Sequence, residues 1–250
     1  MANMLFIDSY AFTTPRIGRW AEEHSKRTRR FLVRPPIDCD LYRPVSGLNS
    51  GFRLNERERS VLYMGPLWSS RFPALRVLKA IKLLADKGIN SHLLVLTSAS
   101  RTSPMESDRL QALGKALGLS DRLTVRRVDL SEGERVAAYN SADVVIFPYV
   151  GPVPERLADP PFGILEAMAC ARIVLATDVL SISEVLNDEE TGFVVKDSTP
   201  EEIAKGLYRA LTTADRNRIE GNARQRMVTD FSYPVVRERL IRSYSSLLKE

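Results

Sequence analysis

From residue 60 to the end of the chain, short apolar runs alternate with amphipathic stretches of helical length. Most of these runs are apolar at every position, which is typical of strands buried on both faces of a parallel sheet. Strands are predicted at residues 60–64, 92–97, 123–127, 144–147, 172–177 and 192–195. The alternation predicts an α/β protein with a Rossmann-like parallel sheet that carries helices on both faces.

Capping residues mark where two of the intervening helices begin. Thr199 precedes Pro200 and stands three positions before Glu202, and Ser131 stands three positions before Glu134. This spacing is the capping box, in which the first side chain and the third helical residue bond each other's backbone amides. Two further amphipathic helices are predicted at residues 215–229 and 234–249, and we expect them to pack outside the sheet.

The first 45 residues follow another pattern. A strand is predicted at residues 5–7, a helix opens at Thr14, and a second strand lies near residues 31–33. Paired prolines then fix an extended backbone, and the run VSGLNSG reads as a loop. The expected parts are residues 1–45, a domain of residues 46–230, and a helix at residues 231–250 that packs back toward the amino-terminal segment.

Composition indicates the class of protein and the compartment in which it is expected. The 250 residues are 44% hydrophobic and 27% charged, the balance of an ordinary globular protein. No apolar run approaches the roughly 20 residues that cross a bilayer, and the first residues lack the basic and apolar regions of a secretory signal. A cytoplasmic protein is expected, in which Cys39 and Cys170 are reduced structural thiols.

The net charge of +5 is unevenly distributed, because one stretch near the amino terminus is basic. A solvated helix face explains it, and so does peripheral contact with an anionic membrane at the inner face. No pattern of interleaved aromatic residues suggests base stacking, so specific nucleic-acid binding is not expected. The basic residues of the stretch are Arg16, Arg19, Lys26, Arg27, Arg29, Arg30 and Arg34, against Glu22 and Glu23.

Ligands of an open parallel sheet bind beyond the carboxyl ends of its strands, so the loops after the predicted strands are where a site is expected. Gly65 follows the first of these strands and permits close backbone approach, and Arg71 can bind a phosphate through two parallel hydrogen bonds. A surface arginine beside a turn fits the same residues, and the spacing does not separate the two interpretations. The small polar loop at Ser98 suits a ligand but is weak evidence alone.

The most informative loop follows residues 144–147 and leads through Asp159 and Phe162 into the run ILEAMACA. Amides at the start of that helix attract a phosphate or a polarised sugar hydroxyl. Glu166 stands one turn further and can accept hydrogen bonds from both hydroxyls of a ribose. A site that binds a ribose next to a diphosphate fits a nucleotide sugar. The alternative is that Glu166 only interacts with the helix dipole, an effect of about 0.3–1 kcal/mol.

No metal site is expected. Asp38 and Asp40 could hold a divalent ion against a diphosphate, but they follow the paired prolines, far in sequence from the other loops. His24 and His92 lack the partner spacing of a zinc site or of a catalytic dyad. The glycine patterns of standard dinucleotide and P-loop sites do not occur in the sequence.

From about residue 31 onward the sequence resembles the retaining GT-B glycosyltransferases of group 1, family 4. The most specific matches are ADVVIFP at residues 142–148 and FGILEAMA at residues 162–169. The run RPPID at residues 34–38 is similar to the family's interdomain segment, and residues 61–71 are similar to its diphosphate-binding strand and glycine loop. Further matches follow in order at residues 41–44, 184–186 and 191–193 and in the arginine-rich carboxyl-terminal helices.

The resemblance implies transfer of a sugar from a nucleotide-diphosphate sugar, with retained anomeric configuration, to an unknown saccharide or lipid-linked acceptor. Glu166 matches the family's ribose-binding glutamate, and Arg71 matches a usual lysine. Cationic side chains stabilise the departing diphosphate in that family, so neither a metal nor a cofactor is expected. The implied catalytic residues are Arg71 and Asp159, and the implied donor-binding residues are Gly65, Arg71, Ser98, Val128, Phe162, Gly163, Ile164 and Glu166.

The sequence also departs from the family pattern. Pro66 stands where a second phosphate-binding arginine is usual, and Asp159 is only the nearest acid to the family's first glutamate, because the loop is shorter. Ala171 stands where a helix-ending glycine is common, at a cost of about 1–2 kcal/mol if the backbone there is left-handed. The acceptor domain is expected to be largely missing, since residues 1–45 are too few to form it.

Three functions therefore stay open at this point. The first is a sugar transferase whose donor site lies in this chain. The second is a non-catalytic nucleotide-sugar-binding subunit, or an inactive fragment, that requires a partner chain with the acceptor domain. The third is a basic protein that binds DNA or a membrane surface through residues 16–34.

Overall fold

The computed structural model describes residues 9–24, 29–46, 51–52, 58–67, 70–151, 160–179 and 181–248, without the side chains of Tyr10 and His24. The strand predicted at residues 5–7 lies outside these ranges. The eight strands within them are β1 (Ser9–Phe12), β2 (Arg29–Leu32), β3 (Arg59–Met64), β4 (Ser91–Thr97), β5 (Leu123–Arg127), β6 (Val144–Phe147), β7 (Ile173–Thr177) and β8 (Phe193–Val195).

Strands β3 to β8 form one parallel six-stranded sheet in the order β5-β4-β3-β6-β7-β8. In its centre Val61 pairs with Leu93 on one side and with Val144 on the other. The six strands predicted from apolar runs are all present, with ends that agree to within one residue. The predicted Rossmann-like parallel sheet is confirmed.

The order of the strands reverses once along the chain. From β3 the chain moves outward through β4 to β5, then returns to the other side of β3 and moves outward through β6 to β8. Such a reversal leaves a crevice between the two central strands at their carboxyl ends. That crevice lies between the loops that follow β3 and β6.

Eight α-helices connect and flank the strands in the described residues. They are α1 (Pro15–His24), α2 (Ala74–Asp86), α3 (Pro104–Ala116), α4 (Glu132–Ser141), α5 (Phe162–Ala169), α6 (Pro200–Thr212), α7 (Arg216–Arg226) and α8 (Tyr233–Leu247). A π-helical turn at Met227–Phe231 joins the last two, so the helix predicted at residues 215–229 ends earlier than expected. Its buried residues, Met227 and Phe231, fill the core beside α5.

The capping signals act as predicted at one helix and only in part at the other. Ser131 and Glu134 bond each other's backbone amides at the start of α4. Thr199 accepts a hydrogen bond from the Glu202 amide at the start of α6, but its own amide donates to Asp197, so the reciprocal half of the box is absent there. The prediction of a full box at α6 was wrong, because an aspartate two residues earlier takes the amide that Glu202 would have bonded.

The two faces of the large sheet carry separate apolar cores. On one face α2, α3 and α6 pack against alternate strand residues such as Val61 and Leu93. On the other face α4, α5 and α7 pack against the intervening residues, such as Leu62 and Leu94. This alternation of strand side chains is the reason that nearly every strand position is apolar.

Residues before the large sheet form a smaller unit, in which β1 and β2 pair in parallel. Its helix α1 docks on the loop after β7, where the Arg16 amide donates to the carboxylate of Glu184 at 2.8 Å. The following extended segment pairs with the residue after the π-helical turn, through a bridge between Ile37 and Ser232. The division into three parts at residues 45 and 230 stays a prediction.

Candidate functional site

The crevice at the strand reversal is bounded by two loops that contact each other. The loop after β3 runs from Gly65 toward Arg71, and the loop after β6 includes Tyr149 and Val150. The Val150 amide donates to the Ser70 carbonyl oxygen at 2.9 Å, which ties the two loops together. The sheet therefore brings residues from separate parts of the sequence to one carboxyl edge, as the parallel arrangement requires.

Gly65 continues the strand before the chain turns into the crevice. Its amide donates to the Leu96 carbonyl oxygen at 3.0 Å. A Cβ atom on this residue would lie only 2.9 Å from the hydroxyl oxygen of Tyr63, which donates to the Pro66 carbonyl oxygen at 2.6 Å. Glycine is thus needed because the tyrosine hydroxyl that holds the turn occupies the space of a side chain.

Arg71 lies against an aromatic ring on the opposite side of the crevice. Its guanidinium carbon is 4.6 Å from the centre of the Tyr149 ring, a distance at which the ring's negative face attracts the cation. Burial raises the pKa of Tyr149 above its ordinary value, so this ring stays neutral and does not cancel the charge of Arg71. The structure places a positively charged side chain at the mouth of the crevice.

Helix α5 points its amino terminus toward the same edge. Its cap residue, Pro161, offers no side-chain acceptor to the first amides. Phe162 is 57% exposed, whereas Ile164 is buried and its amide donates to the Pro161 carbonyl oxygen at 3.0 Å. A Cβ atom on Gly163 would lie 3.1 Å from the Phe147 ring. The absence of a side chain at Gly163 lets the helix begin close to the end of β6.

Glu166 is the one acidic or basic residue among the buried residues of the described chain, at 8% exposure. A glutamate is seldom buried unless it is paired, and two residues of α4 pair with it. The Tyr139 hydroxyl donates to Oε2 at 2.8 Å, and Nη1 of Arg135 lies 3.5 Å from Oε1. Burial and the nearby negative charge of Glu166 raise the pKa of Tyr139 well above its ordinary value, so the hydroxyl keeps its proton and donates.

Arg135 continues this cluster to the segment before the large sheet. Its Nη2 donates to the Tyr42 hydroxyl at 2.6 Å, and the Tyr42 and Tyr139 rings meet edge to face with their centres 6.4 Å apart. Sequence analysis did not predict the roles of Tyr42, Arg135 and Tyr139. The spacing of Arg135 and Tyr139, four residues apart on a helix, was a signal that both side chains lie on one face.

Ser98 and Val128 lie side by side beyond the ends of β4 and β5. The Val128 amide donates to the Thr97 carbonyl oxygen at 2.8 Å, and the Ser98 hydroxyl donates to Asp129 at 2.5 Å. That hydrogen bond holds the pKa of the Asp129 carboxyl below its usual value. The two residues extend the site from the crevice toward the outer strands of the sheet.

The remaining predicted features fall away from the crevice or outside the described residues. Asp159 lies in the range that the structure does not describe. Asp38 accepts hydrogen bonds from the amides of Asp40 and Leu41, which is a turn-capping role. Within the described ranges, no group of three or more His, Cys, Asp or Glu side chains is placed to hold a metal ion.

Helix α5 is followed by a left-handed residue, Ala171, where the family commonly has glycine. Ala171 has a φ of 52°, in the left-handed region. Its amide donates to Met168 and that of Arg172 to Ala167, the bonding of a helix end that normally uses glycine. An alanine therefore carries steric strain beside the candidate site.

The basic stretch near the amino terminus is engaged within the protein at several described positions. Arg30 pairs with Glu22 at 2.9 Å, Arg29 donates to the Ser246 carbonyl oxygen, and Arg34 lies over the Phe231 ring. Peripheral membrane contact through this stretch stays a prediction. None of the helices in the described residues has the length and apolar character to cross a membrane.

Comparison with known proteins places these features in a family. The sequence profile of glycosyl transferases group 1 matches residues 58–213, which is more than half of the chain. The chain belongs to the group 1 glycosyltransferase family. The matched region begins just before β3 and ends just after α6, so it includes all six strands of the large sheet and both loops of the crevice.

Individual group 1 relatives agree with this assignment. The chain is 29% identical over 229 residues to a D-inositol 3-phosphate glycosyltransferase of Nocardia farcinica, covering 90% of this chain and 49% of that protein. The chain thus spans about half the length of the curated relatives it matches.

Two solved structures share the fold. A glycosyltransferase from Rickettsia africae superposes with a TM-score of 0.76 at 19% identity, over 94% of this chain and 62% of that one. Anabaena HepE in complex with UDP gives a TM-score of 0.76 at 15% identity, over 94% of this chain and 63% of that one. At these identities the likeness establishes the fold alone.

Proposed function

We propose that this chain binds a nucleotide-diphosphate sugar in the crevice and serves as the donor half of a retaining glycosyltransferase of family 4. The observation that carries the proposal is the position of Glu166, a buried carboxylate on the helix whose amino terminus faces the crevice. A carboxylate and a helix amino terminus on one element match a ribose and a diphosphate held close together.

The proposal assigns a part of the donor to each group of residues. Arg71 and the first amides of α5 neutralise the diphosphate, and Glu166 accepts hydrogen bonds from the ribose. The base lies toward Ser98 and Val128, at the ends of the outer strands. The structure of HepE contains UDP, which makes uridine the first base to test.

Catalysis follows from charge stabilisation of the leaving group. When the bond between sugar and diphosphate breaks, negative charge grows on the diphosphate, and a fixed cation beside it stabilises that charge more than it stabilises the intact donor. Arg71 is proposed for this role without a metal or cofactor. Asp159, outside the described residues, is proposed as a second catalytic residue on the family resemblance alone.

A second candidate function is a nucleotide-sugar-binding subunit without activity of its own. The observation that favours it is the length of the chain, which spans about half of its curated relatives. The acceptor site would then lie on a partner chain. In either case the acceptor is unknown, and an inositol phosphate is the first to test because relatives are named for it.

Thermal unfolding of the purified chain with UDP-, GDP- and ADP-sugars tests the donor site. A ligand at 100 times its dissociation constant adds about 2.7 kcal/mol of stability, so one nucleotide should raise the Tm. The rise should be lost in Glu166→Gln and kept in Glu220→Gln, a half-buried glutamate that pairs with Arg216 on α7 at 2.9 Å. Binding without sugar transfer, when an acceptor and partner are supplied, would favour the second candidate.

A rise in Tm that survives Glu166→Gln would contradict the proposed ribose contact. No rise with any of the three donors would contradict a donor site in this chain.

A further inference from the structure

We propose that Arg135 and Tyr42 are positioning residues that hold Glu166 in the orientation that recognises the ribose hydroxyls of the donor. This inference rests on the proposed function, since it concerns the same carboxylate. It goes further because it makes the selection of ribose depend on a residue of the segment that precedes the large sheet.

The carboxylate of Glu166 is anchored but not saturated. Two carboxylate oxygens have about four acceptor sites, and among the described residues the Tyr139 hydroxyl uses one of them at 2.8 Å. The Tyr42 hydroxyl also interacts with this carboxylate, which leaves about two sites. Arg135 lies 3.5 Å from the other oxygen, which is too long for a good hydrogen bond but close enough for charge attraction. Acceptor sites therefore remain for the two hydroxyls of a ribose.

Two anchors fix the plane of this carboxylate. Tyr139 holds one oxygen by a directional bond, and the positive charge of Arg135 draws the other oxygen to one side. Without the arginine, the carboxylate could turn about its bond to the side chain within the range of angles that the hydrogen bond to Tyr139 tolerates. Two hydrogen bonds to a vicinal diol need both oxygens in fixed positions, so rotation would weaken recognition of the hydroxyls.

Arg135 is itself held by Tyr42. Its Nη2 donates to the Tyr42 hydroxyl at 2.6 Å, and its guanidinium carbon is 5.8 Å from the centre of the same ring. Its Nε is buried without a hydrogen-bond partner in the described part of the chain. One guanidinium donor thus stays unbonded among the described residues. The hydrogen bond to the Tyr42 hydroxyl is the short, directional contact that positions the group.

Tyr42 has a fixed position because of backbone contacts on both sides. It is 3% exposed, its amide donates to the Asp38 carbonyl oxygen at 2.9 Å, and its own carbonyl oxygen accepts from Arg224 at 2.7 Å. The segment at residues 38–42 therefore fixes Tyr42, Tyr42 positions Arg135, and Arg135 positions the Glu166 carboxylate. This chain of contacts links the segment to ribose recognition.

The test is the ratio of affinities for a ribonucleoside diphosphate and its 2′,3′-dideoxy analogue, measured by calorimetry with UDP, GDP and ADP. Hydrogen bonds to a carboxylate should make the wild type prefer the ribose form by about tenfold or more. The ratio should fall to about twofold or less in Arg135→Gln, and partway in Tyr42→Phe, which removes one oxygen atom and keeps the ring. Loss of overall stability would lower both affinities together and leave the ratio unchanged.

Asn140→Ala is the matched control. Asn140 lies on the same helix and binds the same stretch of chain, through the Val45 amide at 2.9 Å and the Arg43 carbonyl oxygen at 3.0 Å. Among the described residues its side chain bonds backbone atoms and not Glu166. This variant should keep the wild-type ratio. If it lowers the ratio as much as Arg135→Gln does, the effect is general to the segment and the inference fails.

The failures of the two proposals are distinguishable. A wild-type ratio retained in both Arg135→Gln and Tyr42→Phe, while Glu166→Gln abolishes it, overturns the positioning roles and leaves the donor site intact. A wild-type chain that binds none of the three diphosphates, or binds them without preference for the ribose, overturns the donor site and the positioning roles together.

Discussion

The two faces of the six-stranded sheet are built differently. The face covered by α2, α3 and α6 is an apolar core of aliphatic and aromatic side chains. The face covered by α4, α5 and α7 also buries Glu166, with its partner Tyr139 and the nearby Tyr42. A buried charge costs free energy unless it is paired, so the face that buries Glu166 is where the protein does more than fold.

The difference also explains where the segment before the large sheet attaches. Arg224 of α7 donates to the carbonyl oxygens of Cys39, Tyr42 and Ala169. One side chain thus joins that segment to the end of α5, on the polar face. The apolar face stabilises the sheet, and the polar face connects the candidate site to the rest of the chain.

Leu78→Ala should be strongly destabilising. Leu78 is fully buried in the apolar core under α2, and deletion of a buried leucine side chain costs about 2–5 kcal/mol. Urea unfolding measures the loss in free energy of unfolding, and nucleotide affinity should not change. Leu75→Ala, on the same helix at 46% exposure, should cost less than about 0.5 kcal/mol. Equal losses in the two variants would show that α2 does not pack as described.

Arg224→Met should cost about 2–3 kcal/mol, because it removes charged donors from buried carbonyl oxygens while keeping an apolar side chain of similar length. The three bonds are 2.7–2.9 Å long. The loss is again measured by urea unfolding. Arg218→Met is the control, since that arginine of α7 is half exposed and pairs with Asp215 at the surface. If Arg224→Met loses no more free energy of unfolding than the control, Arg224 does not connect the segment to α5.

Ala171→Gly should stabilise the protein by about 1 kcal/mol. The residue has a φ of 52°, which glycine adopts without the steric cost that a Cβ atom brings. Ala112→Gly, at an exposed position inside α3, should instead destabilise by about 1 kcal/mol. Chemical denaturation of both variants shows whether the free energy of unfolding rises in the first and falls in the second. Destabilisation in both would mean that the backbone at Ala171 is not left-handed in solution.

His92→Gln should change only the dependence of stability on pH. Burial lowers the pKa of His92 below 6.5, although the charge of Glu58 partly opposes this. The unfolded chain then binds a proton more readily than the folded one, so stability is complete above about pH 6.5 and falls as the pH drops from there toward the lowered folded value. The variant should lack this decline in the free energy of unfolding. If the free energy of unfolding declines below pH 6.5 in the variant as it does in the wild type, groups other than His92 cause the decline.

Much of the fold was predictable because two-sided burial makes strands nearly continuous apolar runs. The six strands of the large sheet followed from local sequence, whereas the left-handed backbone at Ala171 was expected only from the family resemblance. The partners of Glu166 did not, because Tyr42 and the pair Arg135 and Tyr139 on α4 are far from Glu166 in sequence. Contacts that span 27 or 93 residues are set by the packing of α4 between segments, which no local pattern records.

The capping box at α6 shows the same limit at short range. The pattern of Thr199 and Glu202 fits a reciprocal box, yet Asp197 competes for the same amide and bonds it. A motif identifies which bonds are available, and the neighbouring residues decide which of them form. The candidate site follows this rule as well: the loops were found from sequence, and their mutual contacts were not.

Hydrogen exchange of the chain with and without a nucleoside diphosphate is the most direct test of the central claim, that the crevice at the carboxyl edge is the donor site. The account predicts slower exchange with nucleotide at Gly65, in the loop at Ser98, at Val128 and in the first turn of α5, with α2 and α8 unchanged. Protection confined to other elements, such as α1 or α8, would contradict the claim.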